Sequence, residues 1–107
     1  MIAYRIYAAP PSNSVNEEAN LRDIDKAACH AGLTAYTVWP TTGIWLGASE
    51  PAYCIEFVDS HALAKTRRAV YDTARQLRAA WSQTAVLVTA QPLIECALVT
   101  EQTGGVL

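Results

Sequence analysis

The chain has 107 residues, of which 51% are hydrophobic and 17% are charged, and its formal net charge is −2. This length and composition fit one compact domain and exclude a disordered or low-complexity protein. The charge balance argues against a membrane protein or a general nucleic-acid binder, and no apolar stretch approaches the length that crosses a bilayer.

The N-terminal third of the sequence predicts one strand followed by one helix. The alternation of side chains from Ile2 to Ala8 is typical of a half-buried strand, which the Pro10-Pro11 pair ends. The segment Ser14–Glu17 reads as a capping box with Ser14 at the N-cap. Apolar residues follow at helical spacing up to Gly32, so a first helix is expected from about Val15 to Ala31.

Two further strands are expected in the middle of the chain. Leu33–Trp39 is rich in aromatic and β-branched residues and predicts the second strand. Pro40–Gly43 predicts a break or bulge, after which Ile44–Leu46 could resume the strand. A turn at Gly47–Ser49 then leads into Tyr53–Val58, the clearest strand pattern in the sequence.

The second helix has the most regular pattern, with one apolar stripe at helical spacing. The stripe consists of Leu63, Val70, Ala74, Leu77 and Trp81. Asp59 or Ser60 is expected to cap the start of this helix. From Ser60 to Trp81 there are five basic residues and one acidic residue, so this helix carries a basic face on an otherwise acidic chain.

The C-terminal part predicts a strand over Thr84–Ala90, an interruption at Pro92 and one more strand over Leu93–Val99. The resulting order, βαββαβ with an additional C-terminal strand, predicts an α+β ferredoxin-like fold with two helices on one face of an antiparallel sheet. We expect a single domain over residues 1–101 and a loose C-terminal tail over residues 102–107.

In such a fold one face of the sheet is left uncovered by the helices. Strand alternation places either Tyr36 and Val38 or Trp39 and Thr37 on that open face. Because an exposed aromatic sheet face commonly marks an interaction surface, the sequence favours a homo-oligomer, most simply a dimer.

No catalytic motif is present, and we assign no catalytic residue and no cofactor. His30 and His61 lack a recognisable nucleophile partner. The three cysteines contain no CxxC pair, which favours free thiols in a reducing cytoplasm and argues against a metal site.

Two sets of charged residues are candidates for binding. Glu56 lies within the clearest strand and could bind a ligand or face water on the open side of the sheet. Lys65, Arg68 and Arg75 on the basic helix could contact an acidic host protein. Nucleic acid is the weaker interpretation, because the sheet lacks the aromatic signature with which RNA-binding domains of this topology stack bases.

Three segments also carry a resemblance to a known group of proteins. They are Gly43-Ile44-Trp45-Leu46-Gly47-Ala48-Ser49-Glu50, then Ile55-Glu56-Phe57, then Gln83-Thr84-Ala85-Val86-Leu87-Val88-Thr89. Over about Leu33–Val99 the chain resembles small ferredoxin-like proteins of phages, prophages and other mobile elements. The resemblance implies a binding role and supplies no catalytic residues. A purely structural interpretation of the glycines, Trp45 and Glu50, as turn and core-edge residues, is the alternative.

The leading hypothesis is therefore a non-enzymatic, homo-oligomeric binding protein of a phage or mobile element, for example one that blocks a host defence or regulatory complex. Its partner surface would be Lys65, Arg68 and Arg75 or the turn from Trp45 to Glu50. The alternative is a dimeric α+β barrel enzyme or small-ligand binder, similar to monooxygenases or isomerases, with a cavity between sheets. Candidate residues facing such a cavity are Tyr36, Trp39, Tyr53, Glu56 and His61. A regulatory module that binds a metabolite ranks third.

Overall fold

The computed structural model describes residues 1–11, 16–99 and 104–106. It contains two helices, α1 (Glu17–His30) and α2 (Ala64–Ala80). The strands in chain order are β1 (Ile2–Ala8), β2 (Thr37–Trp45), β3 (Ala48–Asp59), β4 (Leu87–Pro92), β5 (Ala97–Val99) and β6 (Gly104–Val106).

Four strands form an antiparallel sheet in the order β2-β3-β1-β4. Together with the two helices this order confirms the ferredoxin-like α+β fold. The C-terminal strand expected over Leu93–Val99 is shorter, and β5 pairs with β6 in a separate two-stranded sheet. β6 lies within the segment expected to be a loose tail, of which residues 102, 103 and 107 are outside the described residues.

The core lies between the sheet and the two helices. The sheet contributes alternate residues of its two central strands, including Ile6 and Ile55, which are fully buried. The helices contribute Ile24 from α1 and Val70 and Leu77 from α2, which are also fully buried. The apolar stripe predicted for the second helix thus packs on the sheet from Val70 to Trp81, whereas Leu63 at its start is exposed.

The hairpin of β2 and β3 differs from the expected break at Pro40–Gly43. β2 runs without interruption to Trp45, and its pairing with β3 is continuous. A proline fits here because β2 is an edge strand, where an outward-facing backbone position needs no N–H. The turn is the two-residue segment Leu46-Gly47 with φ values of 51° and 81°, which is typical of a type I′ hairpin. The prediction of a turn at Gly47–Ser49 was therefore displaced by one residue.

The start of α1 uses a different cap from the expected one. The Asn16 side chain accepts a hydrogen bond from the backbone N–H of Ala19 at 3.0 Å, and this residue is the N-cap. The expected cap, Ser14, and the expected first residue, Val15, lie outside the described residues. Gly32 follows the helix with φ of 90°, which fits its predicted role after the C-terminus.

The start of α2 depends on Asp59, although Asp59 is not the N-cap residue. The N-cap position is Leu63, which makes no side-chain cap. The buried carboxylate of Asp59 instead accepts the backbone N–H groups of His61 at 3.0 Å and Leu63 at 2.6 Å. Burial raises the pKa of Asp59, but these backbone hydrogen bonds outweigh burial, so its pKa lies below the ordinary value.

The last strand of the main sheet begins later than the sequence predicts. β4 pairs with β1 from Leu87, opposite Tyr7, to Pro92, opposite Ile2. The expected start at Thr84 was wrong because β1 has already ended at Ala8, and a chain segment without a neighbour cannot form a ladder.

Candidate functional site

A cleft of about 460 Å³ opens where the central strand β1 ends. β1 stops at Ala8, opposite Tyr53, whereas β3 extends five residues further back to Ala48. On the other side of β1, the chain that leads into β4 is not yet paired. The sheet therefore has a gap at this end, between the β2–β3 hairpin and the loop from α2 to β4.

One wall and the floor of the cleft come from the first half of the fold. The floor is formed by residues 7–9, and Gly43, Ile44, Glu50 and Ala52 of the hairpin form the wall. Most of these side chains are very small, so the space that larger residues would fill remains open.

The second wall is the loop from α2 to β4, which contributes Gln83, Ala85, Val86 and Leu87. A smaller hollow of about 270 Å³ continues from this wall. It shares Glu50, Gln83 and Ala85 with the cleft and adds the hydroxyl-bearing Ser82 and Thr84. The site thus has a mainly apolar chamber and a polar extension, with Glu50 lining both.

Glu50 is the one charged side chain that lines the cleft among the described residues. The phenol of Tyr7 and the amide of Gln83 supply its other polar side chains. Among the described residues, no lysine or arginine lines the cleft. Its single carboxylate therefore attracts a positively charged group, and an aromatic ring such as that of Tyr7 also stabilises a cation placed over its face. The arrangement therefore fits a ligand that is apolar for most of its length and cationic near Glu50.

The two outer motifs of the resemblance come together in this cleft. Gly43 and Glu50 begin and end the first motif, and Gln83 and Leu87 belong to the last. Glu50 is a candidate from the sequence, whereas the sequence assigns no role to Gln83 or to Tyr7. The motif was the available signal for Gln83, whereas no sequence signal marks Tyr7, because its place depends on where β1 ends.

The open face of the sheet carries Trp39 and Thr37, which is one of the two predicted alternatives, and Glu56 lies on the same face. Glu56 accepts a hydrogen bond from Nε of Arg5 at 2.8 Å. The Arg5 guanidinium also lies 5.7 Å from the centre of the Trp39 ring. Glu56 is therefore engaged by an arginine on this face and does not line the cleft.

Tyr36 and Tyr53 lie on the helix side of the sheet. The Tyr36 ring packs 5.6 Å from that of Phe57, and its hydroxyl donates to Asp25 at 2.5 Å. Burial and then the Asp25 carboxylate raise the pKa of Tyr36. Tyr53 is buried, with its ring 6.1 Å from that of Trp81. Both tyrosines thus belong to the core or its edge.

His61 does not line the cleft, and Trp45 is the last residue of β2. His61 is exposed in the turn before α2, where its backbone N–H donates to Asp59. The Trp45 side chain is outside the part of the chain that the structure describes.

The predicted basic residues of α2 are exposed. Arg75 pairs with Asp72, three residues earlier on the same helix. Arg68 and Arg75 line a shallow hollow of about 410 Å³ together with Arg67, whose guanidinium lies 5.3 Å from the centre of the Tyr71 ring. Lys65 does not line this hollow. An acidic partner for this face stays a prediction.

The described residues contain no group of three or more His, Cys, Asp or Glu side chains that could hold a metal ion. Among those same residues, no helix is long and apolar enough to cross a membrane.

The fold and the cleft define a ferredoxin-like α+β domain with a small-molecule-sized cleft at one end of its sheet. Among solved structures, the chain is similar to a phage SAM lyase in complex with S-methyl-5'-thioadenosine, with a TM-score of 0.70 and 18% identity over 84% of this chain and 79% of that chain. The apo state of a phage SAM lyase gives a TM-score of 0.70 and 19% identity over 84% and 78% of the two chains. At these identities the likeness shows the fold. No protein-family profile matches the chain, and no curated protein matches it significantly.

Proposed function

We propose that this chain is a phage protein that binds S-adenosylmethionine in the cleft at the end of β1 and splits it as a lyase. The observation that carries the proposal is the single carboxylate, Glu50, between an apolar chamber and a polar extension. The similar fold of a phage SAM lyase that holds S-methyl-5'-thioadenosine supports the same ligand class. This proposal develops the small-ligand alternative rather than the non-enzymatic hypothesis.

The dimensions and chemistry of the cleft fit such a ligand. Its volume of about 460 Å³ is within the roughly 300–1,000 Å³ of small-molecule sites. S-adenosylmethionine joins a nucleoside to an amino acid through a positively charged sulfonium. The apolar walls, including Ile44 and Val86, suit the nucleoside, and Ser82 and Thr84 suit the polar amino-acid end. The sulfonium would then lie near Glu50 and Tyr7.

This reaction needs few catalytic groups from the protein, which agrees with a sequence that carries no recognised catalytic motif. The positive charge on sulfur makes the thioether a good leaving group. When the bond from sulfur to the amino-acid chain breaks, the electron pair stays on sulfur and yields neutral S-methyl-5'-thioadenosine. The four-carbon remainder either loses a proton or closes through its own carboxylate. Proton NMR distinguishes these two isomeric products, because one of them has vinyl protons.

Calorimetric titration with S-adenosylmethionine and with S-methyl-5'-thioadenosine tests the proposal. We expect both ligands to bind. We expect Glu50→Gln to lower the affinity for the cationic S-adenosylmethionine by roughly 5–30-fold, the equivalent of about one or two kcal/mol. The neutral ligand should bind this variant almost as well as it binds the wild type. Glu95→Gln, which removes a carboxylate at an exposed position away from the cleft, is the matched control.

The outcomes separate binding from turnover. If neither ligand binds, or if Glu50→Gln weakens both equally, the proposed site is wrong. If S-adenosylmethionine binds but mass spectrometry detects no S-methyl-5'-thioadenosine after incubation, the chain is a binder and the lyase step is refuted.

A second proposal concerns self-association through the open face. Val58 and Leu87 expose 48% and 60% of their surface on this face. Leu87 and Tyr7 belong both to this face and to the cleft, so a second copy placed here would also cover the mouth of the cleft. We propose a homo-oligomer, most simply a dimer.

Native mass spectrometry tests this second proposal. Val58→Asp should convert the oligomer to monomer. Leu21→Asp, which also replaces an exposed aliphatic residue by aspartate but lies on α1, should not. A wild-type protein that is monomeric at micromolar concentration would contradict it.

A further inference from the structure

We propose that Gly43 is the specificity-determining residue of the cleft, because its missing side chain leaves the space in which the ligand's charged group meets Glu50. This inference rests on the proposed function and adds a residue that limits the size of the ligand at one point. It starts from the β2–β3 register, in which Gly43 and Glu50 are direct cross-strand partners.

The backbone at this position does not require glycine. Gly32 and Gly47 are the glycines with positive φ in the described part of the chain, and Gly43 is not among them. The β2–β3 pairing also passes through Gly43 without a bulge. A glycine inside a strand costs roughly 0.5–1 kcal/mol relative to alanine. Close approach of another group is a recognised reason for tolerating this cost.

Glu50 is the nearest neighbour of a side chain at position 43, and it leaves room there. A Cβ atom placed on Gly43 would lie 3.6 Å from Cγ and 3.9 Å from Oε1 of Glu50. These distances are ordinary van der Waals contacts, so an alanine fits beside Glu50 without moving it. The branches of a valine would extend past that contact into the cleft, where the ligand's methyl-bearing sulfonium is expected.

The position of Gly43 in the cleft explains why space matters there. Gly43 lines the cleft together with Glu50, and the alternation of β2 puts it on the same face as Trp39. Bulk at residue 43 therefore fills the part of the cleft nearest the carboxylate and leaves the nucleoside wall, formed by Ile44 and Val86, unchanged. We expect bulk at this position to exclude the charged ligand more than the neutral one.

The test is the series Gly43→Ala and Gly43→Val, with Thr42→Val as the control. Thr42 is the exposed neighbour in the same strand and does not line the cleft. Each variant is measured twice, for its free energy of unfolding in urea and for its affinity for S-adenosylmethionine and S-methyl-5'-thioadenosine by calorimetry.

We expect stability and affinity to move in opposite directions. Both Gly43 variants should be at least as stable as the wild type, because alanine and valine are better strand residues than glycine. Affinity for S-adenosylmethionine should fall a few-fold for Gly43→Ala and at least tenfold for Gly43→Val. The affinity for the neutral S-methyl-5'-thioadenosine should fall less. Thr42→Val should bind both ligands as the wild type does.

Each other result has its own meaning. If Gly43→Ala lowers stability, the glycine serves the backbone and the inference is wrong. If the wild type binds the charged ligand and Gly43→Val binds it equally well, the inference is wrong while the proposed function stands. If the wild type binds neither ligand, the proposed function fails and Gly43 has no specificity to determine.

Discussion

Replacement of Asp59 by asparagine should destabilise the protein and change how its stability depends on pH. The Asp59 side chain is 7% exposed and accepts two backbone hydrogen bonds at the start of α2. Asparagine keeps one acceptor oxygen and turns an N–H₂ group toward the other backbone N–H. One hydrogen bond to a charged, buried acceptor is lost, so the free energy of unfolding at pH 7 should fall by roughly 1.5–3 kcal/mol.

The sign of the pH effect follows from the lowered pKa of Asp59. A carboxyl group whose pKa is lower in the folded state stabilises that state above the unfolded pKa, about 3.9. This stabilisation is lost as the pH falls through the folded pKa. The difference between the wild type and Asp59→Asn should therefore be constant near neutrality and shrink below about pH 4.

Urea unfolding followed by tryptophan fluorescence at several pH values measures this difference. Asp72→Asn is the matched control, because Asp72 is exposed and pairs with Arg75 on the surface of α2, where such a pair is worth less than about 1 kcal/mol. A deficit below about 0.5 kcal/mol for Asp59→Asn at pH 7, or one that persists undiminished at pH 3, would contradict the stabilising role of the Asp59 carboxylate.

Three further predictions concern the core, the hairpin and the basic helix. Leu77→Ala removes a fully buried side chain and should cost about 2–5 kcal/mol in the same urea assay; a loss below 1 kcal/mol would contradict the core described above. Leu46→Asn should raise the free energy of unfolding by roughly 0.5–1 kcal/mol, because Leu46 is 93% exposed with φ of 51° and asparagine tolerates this conformation in a type I′ turn. We expect an acidic protein to copurify with the wild type in native mass spectrometry, and reversal of Lys65, Arg68 and Arg75 to glutamate should abolish this copurification; unchanged copurification of the variant would show that this face is not the contact.

The fold was largely predictable because it follows from local patterns. The strand at Ile2–Ala8 and the helix stripe ending at Trp81 were recognised from periodicity alone, and both are confirmed. The errors occurred where pairing partners decide the structure. Pro40 was expected to break a strand, but at the edge of the sheet it does not. Thr84 was expected to begin a strand, but β1 has no residue left to pair with it.

The candidate site was predictable only in part. The sequence marks Glu50 as a candidate next to the hairpin turn, and it shows the motif that contains Gln83 without indicating its role. The sequence does not predict Tyr7 as a site residue, because the alternation of side chains in β1 indicates which face of the sheet a residue lies on but not where a cleft opens. Tyr53 is predicted to face a ligand space between sheets, whereas the structure buries it in the core. Trp39 and Glu56 lie on the open face, so their predicted role at a cavity between sheets stays a prediction.

Local sequence patterns suffice for the order of strands and helices, the apolar faces and hence the ferredoxin-like class, because these depend on the spacing of residues along one segment. The cleft was decided only in the tertiary structure. It exists because β1 is shorter than β3 and because β4 begins late, so that Gly43, Glu50 and Gln83 meet across a gap in the sheet. Such a juxtaposition depends on the register between distant strands, which local periodicity does not encode.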